Sequence, residues 1–312
     1  MSLARVILRP HRFEAAGVAI MAGLTFTVAG GLALRLLAYG IPAECFARAA
    51  SASCVDRQAD MNAYFETAGV WGFVAMAAVA LLPAFSGVFF GISMVGKELD
   101  QGTTTFAWSI APSRRRWLIQ RVLPIGAAIF VIGLAAGAVA DAVAVMREPG
   151  TDANASLAQI GIRGPVIGAE TIAYFGLALL VGAVVGRILP ALLLAIVLVV
   201  PVFAGVTILT DTFLDSETVL TYATDSGVPG RVVDFMLQSP EGELLTWQQV
   251  YDRYGEAAME SVDGPGATFR TVLRVNPPEL YPIAVARMFI LFSAIGLVAT
   301  VLSFAVVDRR RP

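Results

Sequence analysis

The chain has 312 residues, of which 57% are hydrophobic and only 15% are charged, and its formal net charge is −2. Soluble globular domains contain about 25% charged residues, so this composition excludes an ordinary soluble domain and indicates an integral membrane protein. The 22 lysines and arginines are spread along the chain, which excludes the dense basic surface of a nucleic-acid-binding protein.

Six apolar runs are long enough to cross a lipid bilayer, which requires about 20 mostly apolar residues per helix. Because the bilayer core offers the backbone no hydrogen-bond partners, each run is expected to be a helix. The expected spans are residues 15–38, 68–95, 122–145, 165–185, 189–209 and 281–306. The sequence therefore predicts an all-α integral membrane protein whose six transmembrane helices form a single transmembrane domain over residues 1–312.

The distribution of basic residues predicts the orientation of these spans. Twelve lysines and arginines lie in the two terminal segments and in the loops after the second and fourth spans. Four lie in the two short loops on the opposite side. Basic residues favour the cytoplasmic side, so both termini are expected in the cytoplasm. The chain has one lysine and otherwise only arginine, a usage that suggests a GC-rich bacterial genome.

The N-terminal segment, residues 1–14, mixes aliphatic residues with arginines, a pattern typical of a short amphipathic segment on the inner membrane surface. His11 lies in this segment and is the only histidine. We expect it to be an interfacial polar residue, and a pH sensor is the alternative. A lone histidine supports neither a Ser-His-Asp site nor a metal site, so the sequence predicts no catalytic and no metal-binding residues.

The first outer loop contains the two cysteines of the chain, Cys45 and Cys54. An external compartment is oxidising, which favours a disulfide between them. Two free thiols are the alternative, because a bridge needs Cα atoms within about 4.4–6.8 Å of each other.

A charged island separates the second and third spans. It reads Lys97-Glu98-Leu99-Asp100-Gln101-Gly102-Thr103, then Ala107-Trp108-Ser109, then Pro112-Ser113-Arg114-Arg115-Arg116-Trp117. Residues 91–98 almost match a phosphate-binding P-loop, but Glu98 occupies the position of the hydroxyl that binds Mg²⁺, and a membrane helix precedes the motif instead of a strand. No nucleotide or other cofactor is therefore expected on this chain.

Gly102 and Thr103 are expected to start a short helix, with Thr103 as its N-cap and the carboxylates of Glu98 and Asp100 near its positive end.

Four charged residues fall within the expected spans: Arg35, Asp141, Glu170 and Arg287. Ionisable side chains in spans are costly and often functional. We expect Asp141 to pair with Arg35 or Arg287 and so to pin helices around an outward gate. The alternative is that each side chain reaches the headgroup region separately, because all four lie toward the outer ends of their helices.

Residues 211–278 form the one long segment outside the spans, and we expect them to make an external, cap-like loop before the last span. Thr246 and Gln249 have the spacing of a capping box. Trp247, Val250 and Tyr251 then recur at helical spacing. This pattern predicts a short amphipathic helix at about residues 245–261, with its aromatic face toward the membrane or the spans.

The inner loop resembles that of type-2 ABC exporter permeases. The matching residues are Glu98, Asp100, Gly102, Thr103, Trp108, Ser113 and Arg114, and the Ala-Trp pair is similar to a subgroup common in actinobacteria. Arg121 departs from the family, which has lysine there. The resemblance implies that a second permease copy or paralogue and separate ATPase subunits, which bind ATP and Mg²⁺, are the partners. It also implies that the inner loop forms a coupling helix and that the matching residues couple the permease to the ATPase.

These expectations together describe the permease subunit of an ATP-driven exporter in a bacterial plasma membrane. Its path would carry an amphipathic small molecule, drug or lipid, because two six-helix units meet around an apolar interface with few fixed charges. The alternative is a non-transporting membrane scaffold or assembly protein whose inner loop docks a cytoplasmic partner. A membrane-embedded enzyme is disfavoured, because the sequence holds no catalytic set.

Overall fold

The structure is a computed structural model that describes residues 11–46, 52–103, 113–147, 149, 156–157, 159–222, 230–256, 262 and 268–310. Trp108, the middle of the inner loop and most of the N-terminal segment lie outside the described residues. The chain forms two compact units. The second unit comprises Thr151–Ala158 and Leu209–Ala284, and the first comprises the rest of the chain.

Six helices in the described part of the chain are long and apolar enough to cross a membrane, which confirms the predicted fold. In chain order the helices are α1 (Arg12–Ala38), α2 (Gln58–Asp100), α3 (Arg114–Arg147), α4 (Val166–Val185), α5 (Ile188–Ser216), the short α6 (Trp247–Tyr254) and α7 (Tyr281–Arg309). All but α6 are the spanning helices. Short 3-10 helices cover Ala43–Phe46, Ala52–Arg57, Ile160–Ile162 and Pro278–Leu280.

Helix α2 extends well beyond the apolar run that predicts it. It has 43 residues, which corresponds to about 65 Å at 1.5 Å per residue, whereas the hydrocarbon core of a bilayer is about 30 Å thick. Its first ten residues are mostly polar, so hydropathy detects only the embedded part of the helix. The ends of α2 therefore reach beyond the hydrocarbon region.

Helix α4 lies at the centre of the first unit. In its apolar stretch 83% of the residues are buried, against 11% for α5. Gly91 of α2, Gly133 of α3 and Gly296 of α7 each face α4 so closely that a Cβ atom would have no room beside its backbone. Small residues at helix contacts permit this close approach, and three neighbouring helices therefore pack tightly on α4.

The loop that joins α1 to α2 contains a disulfide. Cys45 and Cys54 are bonded, with their Cα atoms 5.5 Å apart, within the range that a bridge requires. The guanidinium of Arg57 donates hydrogen bonds to the backbone carbonyls of Tyr39, at 2.9 Å, and Gly40, at 3.1 Å. These two kinds of contact hold the loop against the end of α1.

The second unit contains a four-stranded antiparallel sheet, which the sequence analysis did not predict. Its strands are β1 (Val219–Tyr222), β2 (Arg231–Gln238), β3 (Leu244–Leu245) and β4 (Arg270–Asn276), in the order β1-β4-β2-β3. Val219 pairs with Val275, and Phe235 pairs with Leu273. The segment expected to be a cap-like loop therefore contains a folded sheet.

Helix α6 begins with the predicted capping box. The Gln249 N–H donates to the Thr246 hydroxyl oxygen at 3.3 Å, and the Thr246 N–H donates to the Gln249 side-chain oxygen at 2.8 Å. The helix ends at Tyr254, earlier than predicted, because Gly255 adopts a φ of 76° and a ψ of −179°, an extended conformation with positive φ that essentially only glycine adopts. The orientation of its aromatic face toward the membrane stays a prediction.

Candidate functional site

The loop between α2 and α3, which is the expected inner loop, begins where Gly102 ends α2. The Thr103 N–H donates to the Glu98 carbonyl at 3.0 Å, and the Gly102 N–H donates to the Leu99 carbonyl at 3.3 Å, which together form a Schellman motif. Gly102 has a φ of 68°, a value that glycine adopts without the steric cost of a Cβ atom. Gly102 and Thr103 therefore terminate α2, and the short helix that they were expected to start falls on residues 104–112, which lie outside the described residues.

The loop ends at a capped helix start. The side-chain oxygen of Ser113 accepts a hydrogen bond from the N–H of Arg116 at 3.2 Å, so Ser113 is the N-cap of α3. Ser113, one of the motif residues, therefore stabilises the start of α3.

Glu98 and Arg121 form an ion pair that joins the last turn of α2 to α3. Their side chains are 19% and 24% exposed, respectively, so water screens this pair less than it screens a surface pair. The guanidinium of Arg121 also lies 4.4 Å from the centroid of the Trp117 ring, a cation–π distance. Glu98 was expected to couple to the ATPase, and the structure gives its carboxylate a partner within the chain.

A second set of polar contacts ties the start of α1 to α2. Lys97 donates to the carboxylate of Glu14 at 3.3 Å. His11, which is 3% exposed, has its Nδ1 atom 3.4 Å from the hydroxyl of Ser93. Burial lowers the pKa of His11 below its usual value; the charge of Glu14 opposes this, and those of Arg121 and Lys97 add to it. His11 is thus buried against other residues of the chain, and its location at the membrane interface stays a prediction.

The turn at the end of α2, residues 100–103, is exposed. Asp100, Gln101, Gly102 and Thr103 are all exposed. The structure shows no hydrogen bond or ion pair of the Asp100 side chain among the residues it describes. Some residues of the motif therefore stabilise the end of α2 and the start of α3. Residues 100–103 form an exposed turn that a partner could contact.

Arg114 extends the contacts of the inner loop to the last helix. Its guanidinium donates to the backbone carbonyls of Asp308, at 3.3 Å, and of Arg310. Arg114 therefore contacts the end of α7, and its expected coupling to the ATPase stays a prediction.

Asp141 pairs with a residue other than the two expected. Its ion pair is with Arg163, at 3.8 Å, whereas Arg35 and Arg287 were the expected partners. The N–H of Gly164 donates to the carbonyl of Gly137 at 3.2 Å, ten residues before the end of α3. The loop before α4 thus runs along α3 and brings Arg163, which is 1% exposed, to Asp141.

Of the other three charges in spans, Arg287 is an exposed residue of α7, and Arg35 and Glu170 have different surroundings. Arg35 lines a cavity of about 230 Å³ together with Thr27, Gly31 and Trp71. Glu170 is buried, and its carboxylate accepts a hydrogen bond from the Tyr174 hydroxyl at 2.5 Å. Neither residue belongs to a cluster that could hold a metal ion, because the described ranges contain no group of three or more His, Cys, Asp or Glu residues.

The Asp141 pairing can be tested with a double-mutant cycle. Asp141→Ala is expected to destabilise the detergent-solubilised protein by about 1–3 kcal/mol, because it removes a charged partner from a buried guanidinium. A cycle of Asp141→Ala with Arg163→Ala should give a non-zero coupling energy from thermal or chemical unfolding. Arg35→Ala is the matched control on α1, and its cycle with Asp141→Ala should be additive. Coupling to Arg35 and none to Arg163 would contradict the pairing.

Comparison with known proteins gives one family match. A family model described as ABC-2 membrane transporter related matches residues 15–214, which run from α1 nearly to the end of α5 and include both sides of the inner loop. No curated protein and no solved structure matches the chain.

Proposed function

Because the chain belongs to the family of ABC-2 membrane transporter related proteins, we propose that it is the permease subunit of an ATP-driven exporter. In this proposal the chain forms part of the translocation path and performs no covalent chemistry. ATP and Mg²⁺ bind to separate ATPase subunits, and the exposed turn at residues 100–103 is where the ATPase docks.

The observation that carries this proposal is the construction of the inner loop. Gly102 and Ser113 set the two helix ends, and the Glu98–Arg121 ion pair clamps those ends together. A force applied to the loop by a partner would therefore be transmitted to α2 and α3, and through α2 to the central helix α4. A passive membrane anchor has no need of such a clamp.

The surface of the spans supports a partner permease and a mostly apolar substrate as parts of this proposal. Only 28% of the residues in the apolar stretches of α1 and α7 are buried, so a second permease copy or paralogue could pack against these helices. The path between two such units would be mostly apolar, which favours an amphipathic small molecule, a drug or a lipid as substrate. The proposed location is a bacterial plasma membrane.

Orientation is tested by labelling single cysteines with a membrane-impermeant maleimide. Gln101→Cys should react only after the cells are permeabilised, and Glu243→Cys should react in intact cells, because basic residues favour the cytoplasmic side. Both native cysteines are in the disulfide, so the unsubstituted protein is an unlabelled control. Labelling of residue 101 but not of residue 243 in intact cells would show that the orientation is the opposite of the one proposed.

The function is tested by purifying the tagged chain from its native membrane and measuring ATP hydrolysis in the eluate. We expect a Walker-motif ATPase to co-purify and its activity to be inhibited by vanadate. Asp100→Lys should reduce the amount of captured ATPase at least tenfold, because it reverses a charge in the proposed docking turn. Glu241→Lys makes the same charge reversal on an exposed residue of the second unit and should leave capture unchanged.

The scaffold is the alternative function, and the same experiment separates it from the exporter. A scaffold that docks another cytoplasmic partner would yield a stable complex without vanadate-sensitive hydrolysis. Equal ATPase capture by the Asp100→Lys and Glu241→Lys variants would reject residues 100–103 as the docking turn.

A further inference from the structure

The ends of three helices meet at one point on the inner side of the first unit. Arg114, at the start of α3, donates hydrogen bonds to backbone carbonyls at the end of α7. Arg310, just after α7, donates to the carbonyl of Val184 at the end of α4, at 2.6 Å. The start of α3, the end of α4 and the end of α7 are therefore in direct contact.

These helix ends carry a concentration of positive charge. We define the inner arginine cluster as Arg114, Arg115, Arg116, Arg187, Arg309 and Arg310. Within the described residues, the carboxylate that pairs with the cluster is Asp308, which contacts Arg115. Six guanidinium groups and one carboxylate therefore leave the cluster with a surplus of positive charge.

Three members of the cluster point into solvent. Arg116, Arg187 and Arg309 are exposed, and the structure assigns them no ion pair within its described ranges. The contacts of Arg114 and Arg310 with helix-terminal carbonyls explain why those two are present, since cations are favourable at helix C-termini. The structure shows no such contact for Arg116, Arg187 and Arg309 among the residues that it describes.

An exposed aliphatic stripe begins beside the cluster. Arg187 directly precedes α5, and Leu189, Leu193 and Val197 follow on one face of that helix at a spacing of four residues. These three side chains are 67%, 59% and 65% exposed, respectively. A cationic head with an aliphatic stripe beneath it matches an amphiphile that has an anionic head and hydrocarbon chains.

We propose that the inner arginine cluster binds the phosphate headgroup of an anionic phospholipid whose acyl chains lie along the α5 stripe. Guanidinium groups bind phosphate oxygens with paired, charge-assisted hydrogen bonds, and basic pockets at the membrane surface take anionic lipid headgroups. A free anion would make no use of the aliphatic stripe. An acidic protein surface would use the arginines alone, so the lipid is the occupant that accounts for both features.

The bound phosphate would compensate the surplus positive charge where α3, α4 and α7 meet. Anionic lipid is therefore expected to stabilise the folded protein. This inference does not depend on the proposed export function, because the cluster would bind lipid equally in a scaffold.

The test uses the full chain in nanodiscs and measures lipid selectivity and thermal stability. Dioleoylphosphatidylglycerol is compared with dioleoylphosphatidylcholine, retained lipid is counted by native mass spectrometry, and inorganic phosphate and glycerol phosphate serve as free-anion probes. The variant replaces the three exposed arginines, as Arg116→Gln, Arg187→Gln and Arg309→Gln. We expect it to lose the preference for phosphatidylglycerol by roughly a hundredfold, the combined effect of three arginines near an anionic surface.

Two further variants keep the result interpretable. Replacing the same three arginines by lysine keeps the charge and should retain most of the preference, which controls for misfolding of the glutamine variant. Arg231→Gln, Arg253→Gln and Arg270→Gln make the same charge change on exposed residues of the second unit and should leave the preference intact.

Other outcomes overturn the proposal. Equal lipid selectivity in the glutamine variant and the unsubstituted protein would show that the cluster is not the lipid site. Stabilisation by free phosphate equal to that by phosphatidylglycerol would indicate an anion site without a lipid. Loss of a co-purifying protein with unchanged lipid selectivity would make the cluster a protein-docking surface instead.

Discussion

Replacing Gly91 by leucine is expected to prevent the transmembrane bundle from packing. A Cβ atom on Gly91 would lie 2.6 Å from the carbonyl oxygen of Phe175 and 2.6 Å from the Cβ of Ala178, so α2 and α4 would have to separate. Overpacking of a core costs about 1–3 kcal/mol and occasionally more, and the contact here is with backbone, which cannot move aside. We expect the variant to lose its monodisperse peak in size-exclusion chromatography and to unfold at a much lower temperature.

Gly69 supplies a matched control on the same helix. A Cβ atom added to Gly69 would meet no neighbouring atom within 4 Å, and leucine is a better helix former than glycine by up to about 1 kcal/mol. Gly69→Leu should therefore retain, or slightly raise, the unfolding temperature. If Gly91→Leu unfolded at the same temperature as Gly69→Leu, the close packing of α2 against α4 would be refuted.

Breaking the Glu98–Arg121 clamp is expected to lower both stability and ATPase capture. Glu98→Ala leaves the Arg121 guanidinium without its carboxylate, and a hydrogen bond to a charged group contributes about 1.5–3 kcal/mol. The ends of α2 and α3 should then move independently, which would displace the exposed turn. The measurements are the unfolding midpoint in detergent and the vanadate-sensitive ATPase activity that co-purifies with the chain.

A charge swap distinguishes a clamp within the chain from a direct contact with the ATPase. Glu98→Arg combined with Arg121→Glu should recover stability and capture, because the ion pair is restored with reversed polarity. If Glu98 instead contacted the ATPase, the swap would restore neither. Glu243→Ala is the control, because its ion pair with Arg253 has both side chains about half exposed and such pairs contribute at most about 1 kcal/mol.

The spanning helices could be predicted closely where local chemistry marks their ends. The run expected at residues 165–185 is helix Val166–Val185, because Pro165 precedes it and Gly186, with a φ of 69°, ends it. The start of α2 was missed, because Gln58, Asp60, Asn62 and Glu66 interrupt the apolar pattern of its first ten residues, and apolar runs identify membrane-embedded segments only. The capping box of α6 was predicted because a capping box depends on residues three apart in sequence.

The sheet of the second unit could not be predicted by the same reasoning. Strand β1 has four residues and β3 has two, which is too short to establish an alternating pattern. In β2 a bulge between Val232 and Asp234 shifts the register, so inward and outward positions do not follow a period of two. The pairing of these strands depends on residues far apart in the chain.

By itself, the sequence determined that the protein is embedded in a membrane, how many helices cross it and where the charged inner loop lies. Each of these properties depends on composition and spacing over one helix length, since the bilayer acts on every segment separately. Only the tertiary structure decided which partners the charges take. Glu98 meets Arg121 because the ends of α2 and α3 pack together, and Asp141 meets Arg163 because Gly137 lets the loop before α4 approach α3. Such pairings depend on distances of a few ångströms between segments, and no local pattern encodes them.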